Sequence, residues 1–232
     1  MSGDPPAPGA GPGRIFVKIC GVTSEEDALL SVAMGADAVG FVFAPSPRQV
    51  AVGAVAQITR RLPPDVLTVG VFKDAHPARV VEMVRQAGLR AAQLHGSTTP
   101  EACAEVAAQV PFVIRAFSAG DPALAQLSAF QAHAVLLDNA EPGSGRVFDW
   151  RLAEGFPATR RLLLAGGLTP GNVAEAIRQV RPWGVDVATG VESSPGHKDP
   201  SKVRAFVHAA RQAAPRPYEP SAAAPYDWQE EW

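Results

Sequence analysis

A lone thiol, Cys20, ends the apolar run Ile15-Phe16-Val17-Lys18-Ile19 and is followed at once by Gly21. A cysteine so placed stands on a rigid strand end, before a turn, and can point into a cleft. Thr23 or Ser24 is positioned to cap a helix whose first turn holds Glu25 and Glu26, where the helix dipole favours negative charge. In isolation a free cysteine is more often a small apolar core residue. What decides between the two readings is the company Cys20 keeps further along the chain.

That company has the right chemistry. Asp138 follows Val135-Leu136-Leu137, and partial burial there would keep a fraction of its carboxyl protonated as an acid. The alternative is a turn-forming Asp-Asn pair. Arg48 lies in a proline-flanked loop, Ser46-Pro47-Arg48, and its planar fork suits a carboxylate; alone it would read as a solvated surface arginine. His95 follows Gln93-Leu94, placed to hold a substrate group or to wall a cleft. Gly166-Gly167 and Thr189-Gly190 end two further apolar runs, where bare backbone amides can close on phosphate oxygens. Lys18 shares a strand face with Cys20, and Asp186 shares one with Ala188. Unpaired charge inside a fold is expensive, so Lys18 requires a carboxylate partner. Asp186 is one option, although it could instead reach a ribose hydroxyl. Cys103, in an alanine-rich helical pattern, reads as packing.

The elements that must position these residues alternate. Strand patterns cover 15–19, 38–43, 66–72, 90–94, 112–116, 134–137, 161–165 and 184–188. Helical patterns cover 24–34, 50–61, 77–87, 99–109, 122–130, a short stretch near 149–155, 171–180 and 199–213. Such βα alternation implies a parallel sheet with right-handed crossovers, and eight units is the count that closes a (β/α)8 TIM barrel. A doubly wound open sheet is the runner-up, weakened because no G-x-G-x-x-G follows the first strand. In a closed barrel chemistry sits at the carboxyl ends of the strands, and Cys20, Arg48, His95, Asp138, Gly166-Gly167 and Thr189-Gly190 all end or follow a strand.

Composition sets the bounds. The 232 residues suffice for one large domain: a barrel over 14–213, with Pro/Gly/Ala-rich and aromatic-bearing tails at 1–13 and 214–232 that read as disordered. Lys+Arg 21 against Asp+Glu 23 gives a formal charge of −2, which argues against nucleic acid and anionic membrane surfaces as partners. No apolar run is long enough to span a bilayer, and the acidic start lacks the pattern of a signal peptide, so the cytoplasm is the expected compartment. Two cysteines are too few for a disulfide scaffold.

Taken together the residues resemble the phosphoribosylanthranilate isomerase family of tryptophan biosynthesis. The matching motifs are Lys-Ile-Cys-Gly-Val-Thr at 18–23, Gly-Phe-Val-Phe with Ser-Pro-Arg at 40–48, Val-Gly-Val-Phe at 69–72, Gln-Leu-His-Gly at 93–96 and Leu-Leu-Asp at 136–138. Gly-Ser-Gly-Arg-Val-Phe-Asp-Trp at 143–150, Ala-Gly-Gly-Leu-Thr-Pro-Gly-Asn-Val at 165–173 and the run from Gly184 to Asp199 complete the set. The resemblance implies an Amadori rearrangement of N-(5-phosphoribosyl)anthranilate, with Cys20 as general base and Asp138 as general acid. It further implies Arg48 on the anthranilate carboxylate, the strand-7 and strand-8 loops on the phosphate, and a mobile glycine-rich loop at 143–145. No metal or organic cofactor is expected, because the substrate amine itself serves as electron sink. A free thiol is only a few per cent ionised at neutral pH, so Lys18, the following helix or the phosphate surroundings are expected to tune it. Ala188-Thr189 and Thr169 depart from the family's commoner Ser pair and Asn, which removes a hydroxyl contact near the phosphate. A histidine-pathway or dual-specificity ribotide isomerase would use a pair of aspartates, and Cys20 argues against it. A non-catalytic phosphosugar-binding module is the other alternative. Oligomeric state, as a homodimer or with pathway enzymes, is not written in the sequence.

Overall fold

The structure is a computed structural model describing residues 14–139, 147, 149–153, 156–157 and 159–214. The expected tails (apart from Ala214) and the glycine-rich segment 143–145 lie outside the described residues. Eight parallel strands form a closed barrel in sequence order: β1 (Phe16–Cys20), β2 (Ala38–Val42), β3 (Leu67–Lys73), β4 (Ala91–His95), β5 (Phe112–Ser118), β6 (Ala134–Asp138), β7 (Leu162–Leu164) and β8 (Gly184–Val187). The seam closes where β8 pairs with β1. Outside lie α1 (Glu25–Ala33), α2 (Val52–Thr59), α3 (Pro77–Ala87), α4 (Pro100–Ala107), α5 (Val173–Val180) and α6 (Pro200–Ala213).

Strand alternation divides the apolar residues into two cores. Phe16, Leu67, Val69, Phe112, Ile114, Leu136 and Leu163 point into the barrel and fill it. Their neighbours Val17, Ile19, Val39, Phe41, Val113, Val135, Leu137, Leu164 and Val185 face the helices. The inner layer is mostly apolar, and the reactive polar groups gather toward the carboxyl ends of the strands. The helix caps follow from local chemistry: the Ser24 hydroxyl accepts from the Asp27 amide at the start of α1, and Thr99 does the same for Ala102 at α4.

Two expected helices are tighter than a sequence pattern suggests. Pro122–Ala129 and Trp150–Ala153 are 3₁₀ helices, and Gln126 breaks the first with φ −109° and ψ 23°. None of Pro122–Ala129 is fully buried; Ala123, Leu124 and Leu127 pack only partly against the core, which gives little apolar burial to stabilise an α-helix. A second difference follows β8. The stretch that read as loop folds into a small antiparallel hairpin, β9 (Glu192–Ser194) and β10 (His197–Lys198), over the carboxyl end of the barrel.

Candidate active site

Cys20 ends β1 on the inward face it shares with Phe16 and Lys18, and it is 7% exposed. The facing residue on β2 is Gly40, where a Cβ would lie 2.8 Å from the Cys20 sulfur and 3.0 Å from Lys18 Nζ. The thiol therefore sits inside the barrel wall rather than between strand and helix. Lys18 is fully buried and finds the carboxylate it requires: its Nζ lies 2.8 Å from Asp186 Oδ1 across the seam. Asp186 is thus engaged by Lys18, one of the two roles expected of it. Burial works against the Lys18 charge, but Asp186 and Cys20 outweigh it and raise its pKa.

The thiol is tuned in the direction opposite to the one expected. Burial pushes the Cys20 pKa up, and the nearby Lys18 ammonium, which hydrogen-bonds it, offsets this only in part. Asp138, at the end of β6, is raised to about 6, first by burial and then by the Asp186 charge, against a hydrogen bond of 2.7 Å from the Asn139 amide to its Oδ1. Cys20 and Asp138 are thus both held toward their neutral forms, and each senses the same Lys18–Asp186 pair.

Asp138 and Asp186 line one cleft together with Gly166, Gly167, Thr189 and Gly190. The two loops meet closely: a Cβ on Gly190 would fall 1.9 Å from the Leu168 carbonyl oxygen, so only glycine permits the approach. Gly166 and Gly167 have φ values of +78° and +71°, a consecutive left-handed pair that turns the chain sharply after β7. The Thr169 amide donates to Asn172 Oδ1 at 2.7 Å, and Asn172 Nδ2 donates to the Gly167 carbonyl at 3.0 Å, which fixes this loop to the start of α5. Asn172, not singled out in the sequence, braces the loop from three residues beyond Thr169.

His95 ends β4 with its Nε2 2.7 Å from Gln93 Nε2. Burial, with the charges of Lys18, Arg115 and Lys73, pushes its pKa down to about 3, so the ring is neutral near pH 7. Arg115, buried on the outer side of β5, donates to the carbonyls of Leu94, at 3.0 Å, and Gly96, at 2.8 Å, and so holds the backbone on both sides of His95.

Arg48 is placed at the cleft rim but does not present an open fork. Its Nε donates to Glu192 Oε1 at 2.8 Å and its Nη2 to Glu192 Oε2 at 2.6 Å, with Thr189 Oγ1 3.2 Å from the same Nη2. The expected carboxylate partner of that fork is occupied by a residue of the protein itself. Lys198, buried on β10, donates to Glu192 Oε1 at 3.0 Å and to the Cys20 carbonyl at 2.6 Å. Sequence reasoning did not single out Glu192 and Lys198. A Glu and a Lys six residues apart in a turn-rich stretch were the available signal.

Comparison with known proteins agrees with this architecture. The family model described as PRAI, N-(5'phosphoribosyl)anthranilate (PRA) isomerase, matches residues 17–209. A relative from Desulforudis audaxviator (strain MP104C), named N-(5'-phosphoribosyl)anthranilate isomerase, is 48% identical over 205 residues, spanning 85% of this chain and 98% of its own. The crystal structure of phosphoribosyl anthranilate isomerase from Thermus thermophilus superposes with a TM-score of 0.79 at 43% identity, over 84% of this chain and 98% of that one. A second solved isomerase, in complex with reduced 1-(o-carboxyphenylamino)-1-deoxyribulose 5-phosphate, is 40% identical with a TM-score of 0.76, over 85% and 99% of the two chains. A match over the whole barrel at this identity shows that the chain belongs to the N-(5'-phosphoribosyl)anthranilate isomerase family.

Proposed function

We propose that this cleft converts N-(5-phosphoribosyl)anthranilate to 1-(2-carboxyphenylamino)-1-deoxyribulose 5-phosphate, with Asp138 as acid and Cys20 as base. The observation that carries the assignment is the pairing of a carboxyl raised to about 6 with glycine loops in one cleft, beside an inward thiol on the first strand. The phosphate seats against Gly166, Gly167, Thr189 and Gly190, placing the ribose over Asp138. Asp138 in its protonated form gives its proton to the ribose ring oxygen, the C1–O bond breaks, and the nitrogen lone pair forms the Schiff base. The Cys20 thiolate then removes the proton from C2, and the C2–H electrons flow toward the iminium nitrogen. The resulting enolamine loses its hydroxyl proton and gains one at C1, leaving the aminoketose. Acid and base stand on separate strands, which suits attack at two atoms of one sugar. Arg48 receives the anthranilate carboxylate and His95 walls the cleft, while Asp186 holds Lys18 and lies within reach of the sugar.

Following loss of substrate fluorescence with purified protein tests this reading. Cys20→Ser and Asp138→Asn are each expected to lower kcat by at least about 10²-fold with little change in binding, the usual contribution of a positioned acid or base. Near-normal turnover in Cys20→Ala would remove Cys20 from the role of base.

A further inference from the structure

Glu192 and Lys198 are buried, charged and outside the acid–base pair, and they form one connected unit with the clamp. Both Glu192 oxygens are spent on the Arg48 fork, and Oε1 also accepts from Lys198 and from the Gly196 amide at 3.3 Å. Lys198 continues the chain to the Cys20 carbonyl, while Arg48 Nη2 touches Thr189 in the phosphate loop. The hairpin is itself fastened at both ends. Thr23 Oγ1 donates to the Gly196 carbonyl at 2.6 Å, and the Lys198 amide donates to Asp27 Oδ2 at 3.1 Å. Two cations share one carboxylate, so the group keeps a positive charge at the rim for an anion to answer.

We propose that Glu192, braced by Lys198, is a positioning residue that ties Arg48 to the strand-8 loop, so that one hairpin sets the separation between the seats for the substrate's phosphate and its carboxylate. With Nε and Nη2 held by Glu192, Arg48 meets the substrate carboxylate through Nη1, a contact whose direction is fixed by the brace. The hairpin thereby selects phosphoribosylamines whose ring bears a correctly placed carboxylate. The proposal rests on the reading of Arg48 as the carboxylate clamp.

Two substrates separate this role from a general structural one: N-(5-phosphoribosyl)anthranilate and N-(5-phosphoribosyl)aniline, which lacks the carboxylate. The readout is the ratio of their kcat/KM values. Arg48→Ala is expected to lower that ratio by about a hundredfold and Glu192→Gln by about tenfold, with the loss in Glu192→Gln carried by KM for the anthranilate substrate. Adding Glu192→Gln to Arg48→Ala is expected to change the ratio by less than about twofold, because a positioning residue has nothing left to position. Should Glu192→Gln fail to fold with Lys198 left unpaired, the double variant Glu192→Gln/Lys198→Met removes both charges, and the same fall in the ratio is expected of it. An unchanged ratio in the Glu192 variants, or a loss that adds fully to Arg48→Ala, overturns the proposal. An unchanged ratio in Arg48→Ala would instead overturn the clamp assignment itself.

Discussion

Lys18 and Asp186 are register partners on the first and last strands, and their side chains meet at 2.8 Å inside the barrel. The pair occupies positions that apolar residues fill elsewhere in the inner layer, directly beneath the two reactive groups. Breaking a buried pair leaves an uncompensated charge, which typically costs about 3–5 kcal/mol. Lys18→Met is therefore expected to destabilise the protein by about that amount in urea unfolding. Lys18→Met/Asp186→Leu, which removes both charges, is expected to recover most of the loss. A double variant as unstable as the single would mean the cost lies in packing.

The pH profile should carry an unusual signature. The proposed mechanism needs Asp138 protonated and Cys20 ionised, yet Asp138 titrates at about 6 and burial pushes the thiol up. Only a small fraction of free enzyme holds both forms at once, and that fraction is constant between the two pKa values. kcat/KM is thus expected to rise up to about pH 6, stay flat, and fall only in the alkaline range. In Asp138→Asn the break near 6 should vanish, and the residual activity should keep rising through that pH toward the pKa of the thiol. If the break persists there, another group titrates.

Asp138 also sets a trade between activity and stability. Its carboxyl is raised from 3.8 to about 6 by folding, so its neutral form is favoured in the native state and its ionisation opposes folding. That penalty is absent below pH 4, grows through the interval from 4 to 6, and is complete above it. Asp138→Asn is neutral throughout, so it is expected to be more stable than wild type by roughly 3 kcal/mol at pH 8 and equal to it at pH 3.5. Thermal melting at the two pH values measures the difference, and equal melting temperatures at pH 8 would refute it.

Gly190 admits no side chain because the Leu168 carbonyl lies where a Cβ would stand. Gly190→Ala must push the strand-7 and strand-8 loops apart. Inorganic phosphate as a competitive inhibitor reports on this directly, and its inhibition constant is expected to rise about tenfold or more, in line with the cost of a misplaced anion-binding loop. Unchanged phosphate inhibition would separate these loops from the phosphate.

The barrel was legible because each strand is a short apolar run, and reactive residues stand at or just beyond strand ends: Cys20 closes β1, Asp138 closes β6, and Gly166 follows β7 by two residues. The need for a Lys18 partner was legible too, since alternation put a charge on the inner face. Three things were not. The Arg48–Glu192 contact joins residues 144 positions apart, and no local pattern specifies such a pair. The hairpin of β9 and β10 is only three and two residues a side, too short to show alternation. The upward shift of the Cys20 pKa depends on how completely the barrel wall excludes water, which spacing does not report.

The closing seam has a consequence for the timing of synthesis. Because Asp186 and the loops that line the cleft come from the last strands, a polypeptide still emerging from the ribosome carries its thiol and its acid but has no counter-ion for Lys18 and no seat for the phosphate. A chain cut off before β8 therefore holds Lys18 without its carboxylate and a barrel with an open seam.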